Sequence, residues 1–275
     1  MTRLFHALLL LIACAAALPA AAADDLLENA QAFRFSARLK DARTIEVRYD
    51  IAPGYYMYRE NFRFAAAGAQ LGKAGLPPGK KKFDQNFNKT VETYRDHVLI
   101  ALPFKGAAGP VTVKVTSQGC ADIGVCYPPI EQSAILDPKS AALEIPGLAF
   151  VAARTARVEG FAPVASTAQL DGLLAAGKPA MLDFYADWCG PCKQMQRSTF
   201  SDPRVKQKLA TLALLQADVT RNNADDQALL KRFKLVGPPG IIFFDRQGRE
   251  VKDLRVIGYQ APEKFLAILE RAAQL

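Results

Sequence analysis

Four cysteines arranged as two close pairs are the residues of this sequence best fitted to do chemistry. Cys189 and Cys192 form a CxxC, Cys189-Gly190-Pro191-Cys192, while Cys120 and Cys126 stand six positions apart in Gly119-Cys120-Ala121-Asp122-Ile123-Gly124-Val125-Cys126. Thiols placed so closely can pass electrons by exchange, in which a thiolate attacks a disulfide sulfur and a mixed disulfide is the intermediate. The CxxC follows an apolar strand and opens a helix, the context of a redox centre and not of half a metal clamp. At a helix N-terminus the free N–H groups and the macrodipole favour a thiolate. Cys189 is therefore the expected nucleophile, and Cys192, one turn further on and less exposed, the expected resolving thiol. A zinc site would need four ligands, yet His97, the one histidine beyond the leader, lies in a different part of the chain. A structural bridge across so short a loop would gain little loop-closure entropy. For Cys120 and Cys126 the spacing alone leaves three readings open: a structural staple of a hairpin, a Cu(I) site, for which no Met or His cluster is present, or a second redox pair.

These cysteines need elements to hold them, and the chain is long enough for two domains. It has 275 residues, 50% hydrophobic and 23% charged, a globular composition. Arg3, an apolar run over residues 7–18, Pro19 and small residues 20–23 read as an export signal cleaved near Ala23. Leu11-Ile12-Ala13-Cys14 is similar to a lipobox, the alternative being a lipid anchor on Cys14; the apolar run continues past it, which favours a soluble exported form. Export puts the remaining cysteines where disulfides form. No later segment has the roughly 20 apolar residues that a spanning helix needs. The formal charge is +8, and Lys80-Lys81-Lys82 reads as a solvated Gly/Pro-rich loop, so no nucleic-acid partner is expected.

Over residues 24–138 apolar and polar residues alternate. Phe33, Phe35 and Ala37, then Ile45, Val47 and Tyr49, then Val111, Val113 and Val115 mark strands with one buried face, and turn signals recur between them. An all-β sandwich is the simplest layered solution. Residues 139–160, rich in Ala and broken by Pro146 and Gly147, suit a linker. Residues 161–275 alternate helix and strand: helix 167–176, strand 180–185, a helix from the CxxC, strand 212–217, helix 225–233, strands 241–244 and 251–257, and a helix over 262–273. That is the order of an α/β thioredoxin fold.

Asp183-Phe184-Tyr185-Ala186-Asp187-Trp188-Cys189-Gly190-Pro191-Cys192-Lys193 resembles the active-site run of the thioredoxin superfamily. The resemblance implies that Asp183 is the buried carboxylate assisting proton transfer at Cys192. It also implies that Pro239, in Val236-Gly237-Pro238-Pro239-Gly240, is a cis-proline facing the CxxC. The segment around Cys120 and Cys126, with Pro53-Gly54-Tyr55-Tyr56-Met57-Tyr58-Arg59 and Tyr94-Arg95-Asp96, resembles the N-terminal periplasmic domain of the DsbD family of disulfide reductases. Thr199-Phe200-Ser201-Asp202-Pro203 extends the likeness to the C-terminal half. The family likeness implies an immunoglobulin-like N-terminal domain whose Cys126 forms a mixed disulfide with Cys189. It implies a cap over the N-terminal pair at residues 83–88, with Phe87 as its shield, and places Tyr56 and Tyr58 beside the cysteines.

Two departures matter. The family usually carries a membrane domain with its own cysteines between the soluble ones, where a short linker stands here, and Gln196 occupies a position where some members have glutamate. The expectation is a protein-disulfide reductase without cofactor or metal, fed by a separate membrane-embedded donor. Its clients in the periplasm would be disulfide isomerases or thioredoxin-like cytochrome c maturation factors. The alternatives are a disulfide oxidase or isomerase, or a thioredoxin-like enzyme whose β-domain is a binding module with a structural disulfide.

Overall fold

The computed structural model describes residues 26–84, 89–107, 109–137 and 160–275, together with the backbone of a short strand at Leu148–Ala149. The expected leader with Cys14, the cap residue Phe87 and most of the expected linker lie outside the described residues.

The N-terminal domain is a β-sandwich. After a one-turn helix α1 (Asn29–Ala32) come β1 (Phe33–Asp41), β2 (Thr44–Ile51), β3 (Tyr55–Tyr58), β4 (Arg63–Ala67), β5 (Gln70–Leu71) and β6 (Lys80–Asp84). They are followed by β7 (Lys89–Tyr94), β8 (His97–Lys105), β9 (Val111–Ser117), β10 (Gly119–Ala121), β11 (Ile130–Leu136) and β12 (Leu148–Ala149). The expected alternation holds: Val111, Val113 and Val115 are buried while Thr112, Lys114 and Thr116 point outward. The sheets β1-β2-β8-β5 and β12-β11-β9-β4 share one core, in which Ile45, Val47, Ile100 and Leu102 of the first meet Val111, Val113, Val115 and Ala134 of the second. A third set of strands, β10-β3-β7-β6, extends from this sandwich and carries Cys120. Lys80–Lys82 are not in a loop but in β6, and Lys82 is drawn half under cover because its ammonium lies 3.9 Å from the centre of the Tyr56 ring.

The C-terminal domain is a thioredoxin-like α/β fold. Its elements are β13 (Ala162–Pro163), α2 (Thr167–Leu174), β14 (Ala180–Tyr185), α3 (Gly190–Gln194), α4 (Pro203–Leu209), β15 (Ala213–Asp218), α5 (Ala224–Arg232), β16 (Gly240–Phe244), β17 (Val256–Ile257) and α6 (Pro262–Ala272). The sheet runs β13-β15-β14-β16-β17, with β14 parallel to β15 and antiparallel to β16. Every residue of β14 is buried because both faces are covered: Leu170, Leu174, Leu229 and Leu230 of α2 and α5 pack on one side, Val205, Leu209, Phe265 and Leu269 of α4 and α6 on the other.

Two local readings change. Residues 251–257 are not one strand: Lys252–Leu254 form a 3-10 turn before the short β17, because Val251 and Leu254 lie three apart and the Leu254 N–H closes onto the Val251 carbonyl at 3.0 Å. The helix α4 was not expected, although its start is written in Asp202, whose side chain caps the Arg204 N–H at 2.8 Å, and in Pro203 at the first helical position. Among the described residues no helix is long and apolar enough to cross a membrane.

Candidate functional site

The C-terminal pair sits at the junction of β14 and α3. Cys189 is the N-cap, in an extended conformation, and its Sγ accepts the Cys192 N–H at 3.2 Å. The helix dipole and free amides that favour a thiolate therefore act on Cys189 once the pair is reduced; here the two are joined as a disulfide. Pro191 occupies the first turn, where a missing N–H removes no helical bond. The approach to the CxxC is pinned from β15's end: the Asp187 N–H donates to Thr220 Oγ1 at 2.8 Å, and the Trp188 indole N–H to the Thr220 carbonyl at 3.1 Å. Asp183 is buried in the middle of β14, where its Oδ2 accepts from Gln216 Nε2 at 3.0 Å. Burial pushes its carboxyl up to about 6, and the Gln216 bond partly opposes the shift. The Pro238–Pro239 peptide bond is cis, and the Pro239 carbonyl accepts the Gly258 N–H at 3.0 Å.

The N-terminal pair is built by two short strands. Cys120 of β10 lies opposite Tyr56 of β3, and the chain then turns back so that Cys126 faces Cys120 across an isolated bridge and a disulfide joins them. Gly124, at φ +85°, makes the turn, and the Ala121 N–H donates to the Val125 carbonyl at 2.8 Å. Arg95 holds the loop from outside through both oxygens of Asp122, at 2.6 and 3.0 Å. Tyr56 and Tyr58 pack against the two cysteines. Their hydroxyls are 3.3 Å apart, and Tyr58 donates to Asp84 Oδ2 at 3.0 Å. Burial raises both phenols well above the usual range, so they remain neutral donors.

The fold brings the two pairs together. The Cys126 N–H donates to the Pro238 carbonyl at 3.0 Å, and Trp188 packs into the cluster of Tyr56, Tyr58, Val91, Cys120 and Cys126. Close approach depends on small residues in the thioredoxin-like domain. A Cβ on Gly237 would stand 2.2 Å from the Cys126 carbonyl oxygen, and one on Gly258 2.2 Å from that of Ile123. One expectation is corrected: Cys192 is not the less exposed of its pair. Cys189 is 0% and Cys192 3% exposed, and both lie in the core of the thioredoxin-like domain.

Three residues of the site were not anticipated. Thr220 acts through its main chain and hydroxyl from 30 residues away; Gln118 and Asn61 meet side chain to side chain only when β10 folds onto the loop after β3. A capping-type residue pair leaves a local trace in a sequence, and none of these contacts is local.

Residues 23–138 match the model of the N-terminal domain of the thiol:disulfide interchange protein DsbD, and residues 167–273 match that of the thioredoxin-like domain. The thiol:disulfide interchange protein DsbD of Ralstonia nicotianae is 53% identical over 142 residues, 50% of this chain and 23% of that protein. The chain thus spans under a quarter of that relative's length. Among solved structures, the reduced DsbD N-terminal domain of Neisseria meningitidis is 31% identical, over 46% of this chain and 96% of that one, with a TM-score of 0.37. The oxidised DsbD C-terminal domain of the same organism is 36% identical, over 40% and 99%, with a TM-score of 0.36.

Proposed function

We propose that this chain, which belongs to the DsbD family through both its domains, is a periplasmic protein-disulfide reductase that relays electrons from Cys189/Cys192 to Cys120/Cys126 and on to client disulfides. The observation that carries this reading is the seating of Cys126 on the cis-proline loop, its N–H on the Pro238 carbonyl at 3.0 Å, with Trp188, the neighbour of Cys189, packed against Cys120 and Cys126. A strand-like main-chain bond at that loop is how a thioredoxin-like domain would hold a peptide whose disulfide it attacks.

With the C-terminal pair reduced, the Cys189 thiolate attacks the Cys126 sulfur; the 126–189 bond forms, the 120–126 bond breaks, and Cys120 leaves as a thiolate and takes a proton. Cys192, having given up its proton, attacks the Cys189 sulfur, and Cys126 leaves and is protonated in turn. Two electrons and two protons have moved, the C-terminal pair has become a disulfide and the N-terminal pair a dithiol. Asp183, held at about 6, is the base expected to take the Cys192 proton. The dithiol then reduces clients, which by family likeness are disulfide isomerases or cytochrome c maturation factors. A separate membrane-embedded protein supplies the electrons, and the Pro238 carbonyl and Gly237, beside the cis-proline Pro239, present the docking edge to it as they do to Cys126.

Reduction potentials of variants that keep one pair at a time test the direction. Both pairs near the thioredoxin value, about −270 mV, with Cys189/Cys192 at or below Cys120/Cys126, support the relay. A Cys189/Cys192 potential near about −120 mV makes the chain an oxidant, and a Cys120/Cys126 pair that resists reduction makes that disulfide structural.

A further inference from the structure

We propose that Gln118 is a positioning residue for this exchange, setting Cys126 against Cys189 by holding the main chain beside each of them. Gln118 is 5% exposed, and its amide has no freedom to turn: Asn61 Nδ2 donates to its Oε1 at 2.8 Å, which directs the amide's two hydrogens the other way. There Nε2 donates to the Tyr127 carbonyl at 3.3 Å and to the Trp188 carbonyl at 3.4 Å. Tyr127 directly follows Cys126, and Trp188 directly precedes Cys189. One NH2 group thus ties together the neighbours of the two sulfurs that react.

The second tie is the Cys126 N–H on the Pro238 carbonyl. The packing of Trp188 and the close approaches at Gly237 and Gly258 bring the domains together, and directional bonds add a defined register to that contact. Two bonds, one to the segment before the CxxC and one to the loop before the cis-proline, fix the orientation in which Cys189 can approach Cys126 in line with its disulfide. Misplacement on the scale of 1 Å costs such a step heavily. Both ties end on main-chain carbonyls, so they are blind to the partner's side chains. The same β-domain surface therefore accepts thioredoxin-fold partners that keep glycine at the places of Gly237 and Gly258 and offer a free carbonyl immediately before the nucleophilic cysteine, where Gln118 binds. This inference rests on the relay reading.

The test uses the chain from Asp24 onward with Cys120→Ser and Cys192→Ser, in which Cys126 and Cys189 are left to pair. Titration against glutathione gives the effective concentration of one thiol at the other, with Gln118 intact, with Gln118→Met and with Gln118→Glu, which keeps the acceptor for Asn61 but has no N–H. We expect Gln118→Met to lower the effective concentration by about threefold to tenfold, the size of one neutral hydrogen bond, and Gln118→Glu to lower it further, since its carboxylate faces the Tyr127 and Trp188 carbonyls. The Cys120/Cys126 potential, measured beside Cys189→Ser and Cys192→Ser, should stay where it is with Gln118 in place, while the thermal midpoint falls through the bonds to Asn61 and Tyr127 inside the β-domain. An unchanged effective concentration overturns the assignment. So does a fall matched by a shift in the Cys120/Cys126 potential, since Gln118 would then act only on its own domain's pair. If Cys126 and Cys189 do not pair even with Gln118 intact, the relay itself fails and this role fails with it.

Discussion

The two cysteine pairs sit in one buried contact but are built on opposite plans. Cys189 is activated from within its own domain: a helix N-terminus favours its thiolate, an N–H bonds its sulfur at 3.2 Å, and a buried carboxyl at about 6 stands by in the adjoining strand. Cys120 and Cys126 have none of this. They close a turn between short strands, beside two tyrosines that burial keeps neutral, with Arg95 turned to Asp122 and Lys82 to the Tyr56 ring. The difference fits the proposed relay, in which the first pair attacks and the second is attacked at Cys126 and carries the dithiol outward.

The contrast breaks most completely at the docking edge. Gly237→Ala places a methyl group 2.2 Å from the Cys126 carbonyl oxygen, and the three nearest atoms to it all belong to the β-domain. The variant should fold normally and keep the reactivity of Cys189/Cys192 toward a small disulfide, while electron transfer to Cys120/Cys126 slows by about 100-fold in stopped-flow measurements. Equal rates of interdomain transfer in variant and parent would mean that the exchange does not use this contact.

Asp183 sharpens the comparison on the thioredoxin-like side. Its carboxyl is raised from the usual 3.8 to about 6, so the folded chain holds a proton that the unfolded chain releases. That stabilisation is complete below about pH 4 and is lost as pH rises through about 6. By pH 7 the ionised buried group has cost about 3 kcal/mol relative to low pH. Denaturant unfolding of the parent and of Asp183→Asn across pH 4 to 7 should therefore show the variant gaining on the parent by roughly that amount. A constant difference would mean that Asp183 titrates normally. The same substitution should slow resolution by Cys192 by about tenfold to a hundredfold.

The smallest effect belongs to the β-domain. Tyr58→Phe removes the donor to Asp84 and the partner of the Tyr56 hydroxyl, and should lower stability by about 1 to 3 kcal/mol in urea titrations. The Cys189/Cys192 potential should not move. A shift there would show the two pairs to be electrostatically coupled, contrary to their separate construction.

What could be read along the chain was what is local. The alternation at Val111 to Val115 and the all-apolar β14 ahead of a CxxC each carry their meaning within a few residues, and both domains were legible from such patterns. The 3-10 turn at Lys252–Leu254 was not, because Val251, Leu254 and Val256 fit a strand with one irregular step as well as a turn with a three-residue spacing. For Cys120 and Cys126 the spacing was silent between staple and redox pair. The contacts that favour the redox reading are with Pro238, Trp188 and Gly237, more than 60 residues away and met only after both domains have folded. Lys82 was misread for the same reason, since its cover is the ring of Tyr56 on another strand.

The most direct measurement follows the first step itself. In Cys192→Ser the Cys189 thiol has no resolving partner, so attack on the Cys120–Cys126 disulfide stops at the mixed disulfide and frees Cys120, which alkylation then blocks. The account predicts peptides in which Cys126 is joined to Cys189 and Cys120 is alkylated. Alkylated Cys189 beside an intact Cys120–Cys126 disulfide would contradict it.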